Sequence, residues 1–309
     1  MLVLLAVFFL IGNYFFSYAL APQRDEVAPG VAGGAVVGTS EQSESARWSS
    51  GWLNEHTEDV FLQSRDGLSL HGYFAARDGN RYAIAMHGYT GNGRSMAGFG
   101  ERFYDRGFSV LLPDCRGHGE SEGKYIGMGW PDRLDLLEWV NWLLARDPEA
   151  EIILYGISMG GATVMMASGE ILPPQVKLII EDCGYTSVWD EFAVQLRDQF
   201  GLPAVPVLSA ASVVTRLRAG FWLEEASALE QVARADPGLP MLFIHGEKDT
   251  FVPFSMLEEL YDAKRGIKEK LAVPGATHGT SSVTDPAGYW DAIDTFLDRH
   301  LDGGVMVGA

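Results

Sequence analysis

Glu151-Ile152-Ile153-Leu154-Tyr155-Gly156-Ile157-Ser158-Met159-Gly160-Gly161 runs from an unbroken apolar stretch, through a serine set between glycines, into a segment rich in Ala, Met and Gly. Residues 151–155 read as a buried strand and 159–168 as a helix. A G-x-S-x-G string alone is common. Between a strand and a helix it describes a nucleophile elbow, a sharp turn in strained backbone that lifts the Ser158 hydroxyl above the sheet. Gly156 and Gly160 keep side-chain bulk out of that turn.

Working outward, further apolar runs at 82–86, 108–112, 176–180, 241–244 and 269–273 read as buried, mostly parallel strands. Residues 59–64 and 68–75, split by Arg65-Asp66-Gly67, read as an antiparallel hairpin. Helical patterns fall between the runs at 95–106, 131–145, 159–168, 255–264 and 286–301, the last opening on Pro286. In the second, Leu134, Leu137, Trp139 and Leu143 define a broad apolar side with Trp142 at its edge. The alternation predicts an α/β fold with a mostly parallel central sheet covered by helices on both faces.

Three strand ends carry the remaining chemistry. After 82–86 comes His87-Gly88-Tyr89-Thr90-Gly91, where the Tyr89 amide is a candidate oxyanion donor and the Met159 amide, at a helix N-terminus, a second. His87 is expected to order its loop through ring hydrogen bonds. After 241–244 comes His245-Gly246-Glu247-Lys248-Asp249, and after 269–273 comes Gly275-Ala276-Thr277-His278-Gly279. Ser158, Asp249 and His278 therefore follow one another in the chain order Ser, Asp, His, each beyond a strand's C-terminal end. Glu247 competes with Asp249 for the acid; His245 and His118 are weaker candidates for the base.

Residues 185–235 interrupt the rhythm. Their apolar groups, among them Trp189, Phe192, Leu196, Phe200, Val205, Leu208, Phe221, Trp222 and Leu223, suit either a small helical cap over a pocket or simple packing onto the sheet. Pro203 and Pro206 exclude a single uninterrupted helix.

The first twenty residues carry no charge, and about 20 residues of helix match a hydrocarbon core. We read 1–21 as a single N-terminal membrane anchor. A signal peptide is the alternative, since Ala19-Leu20-Ala21 has a small-x-small pattern, but no basic residue precedes the apolar run and Pro22 would follow the cut. Arg24 lies beside Asp25 and Glu26, so charge sets no orientation. Residues 22–50 read as a flexible linker, 51–302 as the folded domain with its cap at about 185–235, and 303–309 as a flexible tail.

Composition narrows the function. The 309 residues are 47% hydrophobic and 21% charged, and 41 acidic against 23 basic residues give a net charge of −18. That balance repels nucleic acid. Two cysteines, Cys115 and Cys183, make neither a disulfide scaffold nor a four-cysteine zinc site. A bond between them is not expected, because other strands should separate them. The seven histidines form no H-E-x-x-H, and no dinucleotide or phosphate-loop fingerprint occurs. No metal or cofactor is expected.

On these residues, together with Asp114-Cys115-Arg116-Gly117-His118-Gly119-Glu120-Ser121, Tyr125-Ile126-Gly127-Met128-Gly129-Trp130 and Glu181-Asp182-Cys183-Gly184-Tyr185, the chain resembles α/β-hydrolase-fold serine hydrolases. It is most similar to a membrane-tethered branch common in Gram-positive bacteria. The resemblance spans roughly 55–302 and implies an α/β-hydrolase fold, with 114–119 as a structural turn in which Asp114 and Arg116 pair or cap the rim. The expected activity is hydrolysis of a carboxylic ester or thioester, on a small-molecule or lipid-like substrate with an apolar acyl group. Peptidase or amidase action is one alternative. A membrane-tethered binding protein that has lost turnover is another.

Overall fold

The computed structural model describes residues 2–22 and 51–301. The linker expected at 22–50, apart from Pro22, and the tail expected at 303–309 lie outside the described residues.

The apolar runs form one eight-stranded sheet in the order β1-β2-β4-β3-β5-β6-β7-β8. These strands are β1 (Glu58–Gln63), β2 (Ser69–Ala75), β3 (Arg81–Met86), β4 (Ser109–Pro113), β5 (Glu151–Ile157), β6 (Val176–Asp182), β7 (Met241–Gly246) and β8 (Lys268–Val273). β2 runs antiparallel to β1 and β4, while the other pairs are parallel. The reason both faces of the central strands are apolar is visible in the alternation along them. Ile84, Ile152, Leu154, Ile179 and Phe243 pack to one side, and Ala83, Ile153, Tyr155, Ile180 and Leu242 to the other.

The first side is covered by α3 (Asp132–Leu144), α4 (Met159–Ala167) and α8 (Ser255–Ala263); the second by α2 (Ala97–Asp105) and α10 (Pro286–His300). The short α9 (Ser281–Thr284) leads into α10. The helix expected at 95–106 opens with a separate 3-10 turn, Gly93–Met96, capped by Asn92. On α3, Leu134 is only half-buried, and Leu136 and Val140 join the buried face instead. β6 continues two residues past its apolar run because the strand is buried even at Glu181 and Asp182. There Tyr289 Oη and Ser281 Oγ donate to Asp182.

Residues 185–235 fold as helical insertions that form a cap: α5 (Val188–Phe200), α6 (Ala204–Ala219) and α7 (Ala228–Arg234). Local chemistry sets their ends. Ser187 and Ser227 accept from backbone amides at the starts of α5 and α7, and Gly201 and Gly220 take left-handed conformations after α5 and α6.

The N-terminal helix α1 (Leu2–Leu20) is long and apolar enough to cross a membrane by length and composition. Its second half packs against α6. Gly12 permits this approach, since a Cβ there would stand 2.3 Å from the Ala210 carbonyl oxygen. Arg218 donates to Asn13 Oδ1 at 2.7 Å and lies over the Phe16 ring. The first half stays exposed: Val3 is 75% and Leu10 70% accessible, whereas Phe16 is 3% and Leu20 1%. The sequence reading kept this segment apart from the folded domain, and the structure joins the two.

Candidate active site

Ser158 sits between β5 and α4 with φ 56° and ψ −116°. For a residue with a Cβ this is strained backbone, held because its N–H donates to the Asp182 carbonyl and its carbonyl accepts from Ala162. The glycines are steric requirements. A Cβ on Gly156 would lie 2.2 Å from the Gly160 carbonyl oxygen, and one on Gly160 would lie 2.1 Å from that of Met86.

The structure brings the three widely spaced residues together. The Ser158 hydroxyl donates to His278 Nε2 at 2.9 Å, and His278 Nδ1–H donates to Asp249 Oδ2 at 2.7 Å. Asp249 is held from all sides: its Oδ1 accepts from the amides of Phe251 and Val252 at 2.9 and 3.0 Å. His245 Nε2, which donates to the Val252 carbonyl, also lies 3.3 Å from Asp249 Oδ2. Burial alone pushes the Asp249 carboxyl up. The donors from His245 and His278 outweigh it and hold the group below the usual carboxylate range. Asp249 is thus anionic where an imidazolium would need it. Glu247 is exposed and takes no part.

Cys183 also lies near, its sulfur, an Asp249 oxygen and a His278 nitrogen falling within 4.8 Å of one another. Both His278 ring nitrogens are already engaged by Asp249 and Ser158. Burial pushes the Cys183 thiol well up, which keeps it protonated. Cys115 and Cys183 are both free and buried, with β3 and β5 between their strands.

Tyr89 and Met159, the candidate oxyanion donors, both border the cavity into which Ser158 opens. The Tyr89 segment is pinned at two points. His118 Nε2–H donates to its carbonyl at 2.6 Å, and its phenol donates to the Ala19 carbonyl of α1 at 2.6 Å. His87 orders the loop as expected: Nδ1–H donates to the Gly88 carbonyl while Nε2 accepts from the Cys115 amide. Burial pulls it down to about 3, so it is neutral.

The rim residues also pair. Asp114 accepts from His71 Nδ1 and from the amides of Gly93 and Glu120, tying the 3-10 turn to β2. Arg116 makes a two-pronged bond with Asp135, both contacts at 2.7 Å, and reaches Asp66.

Two features of the pocket escaped the sequence reading. The first is α1, which contributes Phe15, Phe16, Tyr18, Ala19 and Leu20 to the cavity wall. The second is Glu191 on α5. It lines the same cavity, its Oε1 accepts from Gln195, and its buried Oε2 has no partner among the described residues. Its only forewarning was an acid beside Phe192 on an otherwise apolar cap face. Of the cap residues singled out, Phe192, Leu196, Phe200, Leu208 and Leu223 line the cavity. Phe221 is packing alone, and Val205 and Trp222 are exposed.

Burial, with Asp249 and Asp198 adding to it, pushes Glu191 up to about 8 against the Gln195 bond. Its carboxyl is therefore neutral at pH 7. The sign follows: between about pH 4.5 and 8 the unfolded chain releases this proton and the folded chain keeps it, so stability falls as pH rises through that window. Glu191→Gln removes the titration, and at pH 7 should stabilise the chain by roughly 3 kcal/mol. Thermal melts should show the gain at pH 7 to 8 and its near disappearance at pH 5.

Comparison with known proteins places this geometry in a lineage. A family model described as serine aminopeptidase, S33, matches residues 80–193. The uncharacterised YqkD of Bacillus subtilis is 30% identical over 243 residues, covering 78% of this chain and 79% of that protein. The chain belongs to the YqkD family of α/β-hydrolase-fold hydrolases. YfhR of Salmonella typhimurium is 28% identical over 235 residues, 72% of this chain and 74% of its own. The resemblance therefore extends beyond Gram-positive bacteria. Among solved structures, the Pyrococcus furiosus esterase Pf2001 superposes with a TM-score of 0.67 at 22% identity, covering 92% of this chain and 98% of that one. At that identity the likeness speaks for the fold of the YqkD-family chain, and its cap and cluster at the elbow are consistent with esterase or peptidase chemistry in general.

Proposed function

We propose that the protein is a membrane-attached serine hydrolase that cleaves a carboxylic ester or thioester with an apolar acyl group. The observation that carries this reading is the pair of hydrogen bonds linking Ser158, His278 and Asp249. As Ser158 Oγ attacks the acyl carbonyl, its proton passes to His278 Nε2, and Asp249 stabilises the imidazolium. The Tyr89 and Met159 amides receive the developing oxyanion. Collapse breaks the bond to the leaving oxygen or sulfur, which takes the proton from His278. Water then attacks the acyl-enzyme, giving its proton to His278, and the carboxylic acid departs as Ser158 recovers its proton. α1 supplies the attachment to the membrane.

One observation favours a second reading. Glu191 lines the pocket and its buried Oε2 has no partner among the described residues; ionised by a substrate's ammonium group beside it, it would give the recognition an aminopeptidase needs. A fluorophosphonate probe should label the wild-type chain at Ser158, mapped by peptide mass spectrometry. Acyl esters should then turn over at least tenfold faster than aminoacyl amides; the reverse ratio selects the peptidase, and binding without any acylation sinks both.

A further inference from the structure

We infer that the last two turns of α1 form the acyl-chain wall of the catalytic pocket, and that the substrate is a single-chain acyl ester drawn from the bilayer that α1 enters. The inference rests on the serine-hydrolase reading and names its substrate class.

Phe15, Phe16, Ala19 and Leu20 border the same cavity as Ser158. The rest of its lining is mostly apolar, and its free volume is about 100 Å³. A chamber of that size admits one slender acyl chain and has no room for a second beside it. The helix is not merely lying nearby. Gly12 lets its backbone touch α6, the Leu20 carbonyl accepts from the Ile126 amide at 3.0 Å, and the Ala19 carbonyl accepts from Tyr89. Tyr18 donates to Gln199, which donates to Gln195, which in turn donates to the carbonyl of Phe251, the ring beside His278. The wall is thus in register with both the oxyanion loop and the histidine.

The other half of α1 identifies the source of the substrate. Residues 2–11 rise about 15 Å, half of a hydrocarbon core of about 30 Å. Among them Val3, Leu4, Leu5, Val7, Phe9 and Leu10 are exposed, and no residue of the stretch is charged. On α6, the helix that α1 docks against, Leu217 is also 70% exposed. With α1 docked, its free half spans one leaflet, and the pocket lies where the helix emerges. An acyl chain following α1 out of the leaflet would exchange lipid contacts for Phe15, Phe16 and Leu20 and present its ester to Ser158.

The test uses the full chain in phosphatidylcholine vesicles and reads the ratio of kcat/KM for p-nitrophenyl dodecanoate over acetate. Each buried methylene is worth about a fourfold gain in binding. Ala19→Trp fills the cavity and should lower the ratio at least tenfold. Phe16→Ala lengthens the cavity and should shift the preference the other way, toward hexadecanoate. Opposite shifts cannot come from misfolding, which would lower all substrates together. Unchanged ratios, or equal losses on both esters, overturn the acyl-wall assignment. Monoacylglycerol dissolved in the vesicles should release fatty acid; hydrolysis confined to monomeric ester in solution overturns the route from the bilayer. A wild-type chain that no fluorophosphonate labels would instead remove the serine-hydrolase reading beneath it.

Discussion

Ser158→Ala is expected to lower kcat on an activated ester by about 10⁴- to 10⁶-fold and to abolish fluorophosphonate labelling. The size follows from what is removed. His278 and Asp249 would remain hydrogen-bonded, but with no Oγ to deprotonate they have no covalent route to support, so their contribution disappears with the serine. A residual rate above that in water would come from substrate positioning and the oxyanion donors alone. The backbone at 158 stays as strained for alanine as for serine, so a circular dichroism spectrum like the wild type's is expected. Stopped-flow hydrolysis of p-nitrophenyl acetate should lose its burst. Undiminished labelling of the folded variant would remove Ser158 from the reaction.

Asp249→Asn should cost about 10⁴-fold in kcat near neutral pH, for a reason of orientation. The carboxylate accepts on both oxygens, from two backbone amides on Oδ1 and from His278 on Oδ2. An asparagine offers one acceptor. If its oxygen meets the Phe251 and Val252 amides, its NH₂ faces His278 and drives that ring to the tautomer with hydrogen on Nε2. Such a ring has no lone pair for the Ser158 proton. The opposite flip sets NH₂ against two backbone donors and opens the turn. Part of the loss should return at alkaline pH, where serine deprotonation no longer depends on the ring; a loss under tenfold at pH 7 would place the acid elsewhere.

How much of this the sequence carries depends on where the signal sits in the chain. The elbow was legible because strand, glycines, serine and helix are contiguous. Asp249 and His278 were legible because parallel strands deliver their C-terminal ends to one edge, so position after a strand substitutes for distance. Glu181 and Asp182 marked the end of an apolar run, yet β6 continues through them, and the tyrosine and serine that donate to Asp182 come from the far end of the chain. His245 read as a weaker candidate for the base and lies against Asp249, which it shares with His278. The role of α1 had almost no local sign. Leu, Phe and Tyr in a row look alike whether lipid or protein covers them, and the residues that receive the helix lie from about seventy to about two hundred positions away. Only Gly12, a small residue in a run of large ones, hinted at a close neighbour.

The carbonyls of Ala19 and Leu20 are the last contacts before the chain leaves the helix. A recombinant product started after Ala21 to improve solubility would therefore dispense with one side of its own substrate chamber and with the brace on Tyr89. Assays on such a trimmed preparation would favour short, water-soluble esters, and a ranking of substrates drawn from them would describe the trimming more than the enzyme.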